Sequence, residues 1–232
     1  MKTDRLPVLV LIALFCGGFS GAGVFLFLNS NMSGAAAMTA APVYLAETKE
    51  TIIQENTALK NAVAAANGTV AALAIASKTG ELIYGCGAAL TSDGIIATPH
   101  SLFEPGAAAQ MSVAGEKTSF EVLKRDKDLN LAIIKLETAD LSTAGFYPLE
   151  ELRLGERIFL VGVSSAGKSF ANEGIVRDFD GETITTSISE KNEALGAPVF
   201  DIEGRILGIA DIDKNGLVRV IPIWKIKEAS GL

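Results

Sequence analysis

Residues 185–209 read TTSISEKNEALGAPVFDIEGRILGI. Three apolar stretches are cut by two glycine-bearing breaks, one ending at Gly196 and one at Glu203-Gly204. The runs are four to six residues long and carry β-branched side chains, which suits strands rather than helices. Glu203-Gly204 marks a tight turn between two of them.

The same grammar extends on both sides. Upstream lie TVAALAIA, LIYGCGAAL, GIIAT, LNLAIIKL, RIFLVGV, EGIV and TITT; downstream lies LVRVIPI. Turn signals separate them at Lys78-Thr79-Gly80, Ser92-Asp93-Gly94, Asp180-Gly181 and Asn215-Gly216. A strand about every ten residues predicts an all-β sandwich or pair of barrels. A short helix from about Ile223 to Ala229 closes the chain. No repeat at a solenoid period occurs.

Composition sets the class. The 232 residues are 49% hydrophobic and 20% charged, too apolar for a disordered chain. Lys and Arg number 20 against 27 Asp and Glu, a net charge of −7, which excludes a nucleic-acid backbone as partner. The single histidine, His100, with Cys16 and Cys86 cannot form a Cys/His metal cluster, and no cofactor site is expected. Two distant cysteines are not a disulfide framework.

The N-terminal region is organised differently. Residues 7–28 carry no charge over a length that spans a bilayer. Lys2 and Arg5 precede them, so residues 1–6 are expected in the cytoplasm and the remainder outside, periplasmic or extracellular. The competing reading is a cleaved signal peptide ending near Ala35-Ala36-Ala37. A lipid attachment at Cys16 fails because bulky Phe15 precedes it. Residues 29–43 form an uncharged linker, and residues 44–66 read as a helix through Leu45, Ile52, Leu59 and Val63. That helix either packs on the domain or forms a short coiled coil that makes homo-oligomers. The β domain is expected over 67–232.

Two motifs point elsewhere. Gly162-Val-Ser-Ser-Ala-Gly167-Lys168-Ser169 satisfies a phosphate-loop pattern and is the basis of an alternative nucleotide-binding reading. A helix must follow such a loop, yet Gly174 and a hairpin follow here. Asp211-Ile-Asp213-Lys-Asn215-Gly216 resembles the start of a calcium loop, but its twelfth position is Pro222 and not Glu. The bland reading is a hairpin turn.

Taken in order, four stretches resemble the trypsin-like serine protease family of the Deg/HtrA type. They are Gly85-Cys86-Gly87 through Thr98, Asp128 through Leu136, Leu152 through Gly162, and Thr185 through Ile209. The resemblance covers about Thr69 to Trp224 and implies a double six-stranded β-barrel, a trypsin-like fold. It also implies a Ser–His–Asp triad with an oxyanion hole. Here the serine position holds Leu195, the oxyanion glycine position Glu193 and the aspartate position Asn130. The histidine position falls on Ser101 without a gap, or on His100 with one deletion. The expectation is a membrane-anchored pseudoprotease that binds a peptide or protein. The enzyme alternative is a serine endopeptidase with another nucleophile, Ser101, Ser187 or Ser189.

Overall fold

The structure is a computed structural model that describes residues 23–27, 57–76, 80–103, 108–113, 116–137 and 140–232. Of the expected membrane segment 7–28, only 23–27 are described, as a helix with exposed Val24, Phe25, Leu26 and Phe27. No helix among the described residues is long and apolar enough to cross a membrane. The linker 29–43, Cys16 and the first part of the expected helix, 44–56, lie outside the described residues.

Residues 57–66 form helix α1. Thirteen strands follow: β1 (Val70–Ala76), β2 (Leu82–Ala89), β3 (Ile95–Pro99), β4 (Ala108–Val113), β5 (Glu116–Thr118), β6 (Phe120–Asp126) and β7 (Leu131–Leu136) come first. Then come β8 (Arg157–Val163), β9 (Ser169–Phe179), β10 (Ile184–Ser189), β11 (Pro198–Asp201), β12 (Ile206–Ile212) and β13 (Leu217–Pro222), with helix α2 (Ile223–Ser230) at the end.

The strands make two barrel-like sheets, as in the trypsin-like fold. The second is a closed barrel in the order β10-β13-β12-β11-β8-β9. The first runs β5-β4-β1-β2-β3-β7-β6. Its seven strands depart from the expected six because one strand is bent. β5 pairs with β4, β6 pairs with β7, and only Ser119 separates them. One chain segment thus changes partner at Ser119 and wraps the sheet toward closure.

Alternation along the strands sorts the core. Ala132, Ile134 and Leu136 of β7 face inward with Leu73, Ile75, Ile96 and Met111. Their neighbours Leu131 and Ile133 join the other cluster, with Ile158, Leu160, Val199 and Val220 of the closed barrel. Period-two alternation on a strand covered on both faces produces that split. Phe159 and Phe200, paired across β8 and β11, stack with centroids 5.2 Å apart.

Helix α1 belongs to the same compact unit, which runs Gln54–Leu232. It therefore joins the β domain that the sequence reading began at 67. Ala62 and Ala66 are buried, and Leu59 and Val63 pack beside them on the larger core cluster. This is the packing reading of the helix for its described part. Burying four small and medium apolar side chains is worth several kcal/mol at most.

Candidate functional site

The expected site residues converge where the two sheets meet. Strand β3 ends at Pro99 and runs into a 3-10 turn, His100–Leu102. The β6–β7 turn delivers Asn130, which adopts φ +49°, a conformation Asn tolerates better than most residues. A second 3-10 turn, Asn192–Ala194, carries Glu193 and leads into Leu195.

Asn130 bonds the main chain of both candidate histidine positions. Its Oδ1 accepts a hydrogen bond from the Ser101 backbone N–H at 2.8 Å. Its Nδ2 donates to Asp211 Oδ1 at 3.0 Å, and its backbone oxygen accepts from the His100 N–H at 3.0 Å. The Asn130 side chain thus bonds the Ser101 main chain, and its carbonyl the His100 main chain. The His100 Nδ1 is buried without a hydrogen-bond partner.

Leu195 is half-buried and packs against the core of the first sheet. Its backbone N–H donates to Asn192 O at 3.0 Å, and its carbonyl accepts from the Cys86 N–H at 2.7 Å. The Ala194 N–H donates to Lys191 O at 2.9 Å. An oxyanion hole needs backbone N–H groups aimed at open space. At Leu195 that N–H closes the 3-10 turn instead. The half-buried Glu193 stands in the same turn, two residues before Leu195.

The backbone after Leu195 requires a glycine. Gly196 has φ +83°, and a Cβ there would lie 2.0 Å from the Cys86 carbonyl oxygen. Only glycine fits, on both counts. Cys86 itself is fully buried. Burial pushes its thiol up to about 11; the Val163 N–H bonded to Sγ opposes the shift and the Glu193 charge adds to it. Such a thiol is a small packing group, not a nucleophile.

Two of the alternative nucleophiles have hydroxyls bonded to the main chain. Ser187 Oγ accepts from the Ile175 N–H at 2.9 Å, and Ser189 Oγ donates to Gly216 O at 3.1 Å. Ser101 is exposed beside His100, and its backbone N–H donates to Asn130 Oδ1.

The phosphate-loop motif is corrected. Gly162 to Ser169 is the hairpin joining β8 and β9, with Val163 opposite Ser169. The Gly167 N–H donates to Ser164 O at 2.8 Å, and the Ser164 N–H to Lys168 O at 2.9 Å. A phosphate cradle needs those N–H groups free at a helix N-terminus, and a strand follows instead. The calcium-loop start is likewise a hairpin: Asp213 Oδ1 accepts from the Asn215 and Leu217 N–H groups. No group of three or more potential metal ligands occurs among the described residues.

Sequence reasoning missed Asp211 as the partner of Asn130. It sits 81 positions away, and no spacing rule links a turn residue to the middle of another barrel's strand.

These strands define a trypsin-like fold of two barrel-like sheets. The description of the trypsin-like peptidase domain matches residues 85–209, and the chain belongs to that family. Among curated proteins it is similar to the anti-sigma-I factor RsgI9 of Acetivibrio thermocellus. They are 31% identical over 143 residues, 56% of this chain and 20% of that protein. The chain thus spans about a fifth of that relative's length. The serine endoprotease from Yersinia pestis has the same fold, with TM-score 0.68 and 16% identity over 75% of this chain and 65% of that one. An HtrA-type protease, AlgW, solved with a tripeptide, gives TM-score 0.66 and 20% identity over 75% and 62% of the respective chains.

Proposed function

We propose that this protein is a catalytically inactive trypsin-like domain that works by binding an extended peptide or protein segment. The observation that carries the reading is Leu195. A leucine has no lone pair to attack a carbonyl, and its N–H is already bonded to Asn192. Asn130, bonded to Asp211 and to the Ser101 main chain, leaves no carboxylate to orient an imidazole.

A binding surface is available without a triad. Strand β3 pairs with β2 only at Ala88 and Ala89. The Leu82–Gly85 half of β2 therefore has β1 on one side and, among the described residues, no paired strand on the other. An extended peptide can add there, beside Leu195. The uncharged segment 7–28, preceded by Lys2 and Arg5, supports a membrane anchor with the β domain outside the cytoplasm. The relative's name is that of a regulator, which favours a signalling role over digestion.

The test is digestion of casein and of unfolded protein by residues 43–232, beside a variant carrying Leu195→Ser, Glu193→Gly, Asn130→Asp and Ser101→His. No cleavage by the native domain is expected, and no labelling by a phosphonate probe for active serines. Native cleavage that disappears in His100→Ala would overturn the reading.

A further inference from the structure

We infer that the cleft at the bend between β5 and β6 is a docking site for an acidic peptide segment, held by Lys117 and Arg125. The cleft encloses about 550 Å³, within the range of ligand-binding clefts. Among the described residues its only charged lining groups are these two cations, on a chain of net charge −7. The cleft beside Glu193 and the one beside Asn130 hold acids as well as bases.

The bend brings the two cations to one cleft. Lys117 lies on β5 and Arg125 on β6, and the chain changes partner strand at Ser119 between them. Both side chains are exposed, and neither is ion-paired among the described residues. Gln110 of β4 adds an amide and Ser119 a hydroxyl, and both can donate to a carboxylate. The Thr118 hydroxyl already donates to the Ser119 carbonyl, so it adds no donor.

Apolar side chains accompany these donors. Phe120 and Val122 are half-buried, and Met111 is buried beneath them. The buried Phe103 ring lies 6.0 Å from that of Phe120, centroid to centroid, and the Arg125 guanidinium lies 5.4 Å over it. A guanidinium steadied by a ring keeps its N–H groups as donors for a carboxylate.

Other occupants fit less well. A lone inorganic anion would pair with the cations and leave the apolar side chains uncovered. A nucleic acid needs a row of cations, and two on an acidic chain do not make one. A bilayer surface is flat, and this lining is concave. A peptide supplies both parts, carboxylates for Lys117 and Arg125 and an apolar side chain for Phe120 and Val122. Among the described residues β5 also pairs with β4 alone, so its other edge can take a short extended segment. None of these groups belongs to β2 or is Leu195, so the site does not depend on the peptide reading above.

The experiment titrates the full chain, in phosphatidylcholine nanodiscs, with the capped hexapeptide EFEELE and with its uncharged counterpart QFQQLQ. Calorimetry reads affinity. Expected is a Kd on the order of 0.5 mM or tighter for EFEELE, because exposed ion pairs are individually weak. Raising salt from about 50 to about 500 mM should weaken binding several-fold, since the pairs are open to screening. Arg125→Gln should raise the Kd about fivefold or more, and Lys117→Gln in the same direction. Lys117→Gln keeps the test valid if loss of the Arg125–Phe103 contact unsettles the other variant. Absence of EFEELE binding at about 5 mM overturns the proposal, as does equal binding of QFQQLQ. So does affinity that both substitutions leave unchanged. Inorganic phosphate that displaces the peptide with equal affinity would show a plain anion site and overturn the peptide assignment. Loss of peptide binding in phosphatidylglycerol nanodiscs would give the cleft to the bilayer and overturn it as well.

Discussion

Replacing Gly196 by alanine tests whether the turn after the nucleophile position is held by sterics rather than by chemistry. Two costs apply. The φ of +83° puts an L-residue in the left-handed region, at about 1–2 kcal/mol. The new Cβ would also stand 2.0 Å from the Cys86 carbonyl oxygen and 2.6 Å from Pro99 Cδ. That oxygen cannot retreat freely, because it accepts the Thr98 hydroxyl at 2.8 Å. Forcing atoms into such a packed site costs a further ~1–3 kcal/mol. The sum, about 2–5 kcal/mol, lowers the melting temperature of a domain this size by roughly 5–15 °C. Gly155→Ala is the internal control. Its φ is +80°, with nothing within 4 Å of the added carbon, so only the conformational cost remains. That variant should lose about 2–6 °C. Differential scanning calorimetry of both variants beside the native chain measures the difference. Equal shifts, or a Gly196→Ala shift below about 2 °C, would refute the steric account of this turn.

Asn130→Asp exchanges the Nδ2 donor for a carboxylate oxygen facing Asp211 across the present 3.0 Å, and two close carboxylates disfavour joint ionisation. The variant should melt well below the native protein at pH 7, with the gap narrowing as pH falls to 4; a pH-independent gap would contradict this. Cys86, with its thiol pushed up to about 11, should resist iodoacetamide at pH 8 in the folded protein and react once unfolded, as peptide mapping by mass spectrometry would read. The Leu217 and Asn215 N–H groups hold the Asp213 carboxyl below its ordinary value. A group depressed in the folded state stabilises fully above its unfolded value and loses that effect as pH falls through the folded one. Asp213→Asn should therefore weaken the hairpin at neutral pH and matter progressively less under acid, measured by hydrogen exchange at Leu217. Lys168→Ala, on an exposed hairpin, should change stability by less than about 0.5 kcal/mol. It should also leave the melting temperature equally indifferent to ATP with Mg²⁺.

Much of this protein was legible from residue order alone. The apolar runs and their turn residues located the strands, because period-two burial and glycine-bearing turns are local properties. The asp-glycine turn at Asp180-Gly181 does join β9 to β10, and Asn215-Gly216 does join β12 to β13. A leucine, Leu195, at the position where the family resemblance expects a serine was legible for the same reason, since a side chain's chemistry travels with its position. Other features needed the chain folded. That Asn130 holds the main chain of both His100 and Ser101 depended on bonds across about 30 residues. Gly162 to Ser169 matched a phosphate loop letter for letter, yet pairing with β9 spent its N–H groups in a hairpin. Local sequence determines which residues are apolar, turning or reactive, because those properties belong to single side chains and short backbone stretches. Which of them meet is decided by strand pairing and by the packing of the two sheets, which are long-range and belong to the chain as a whole.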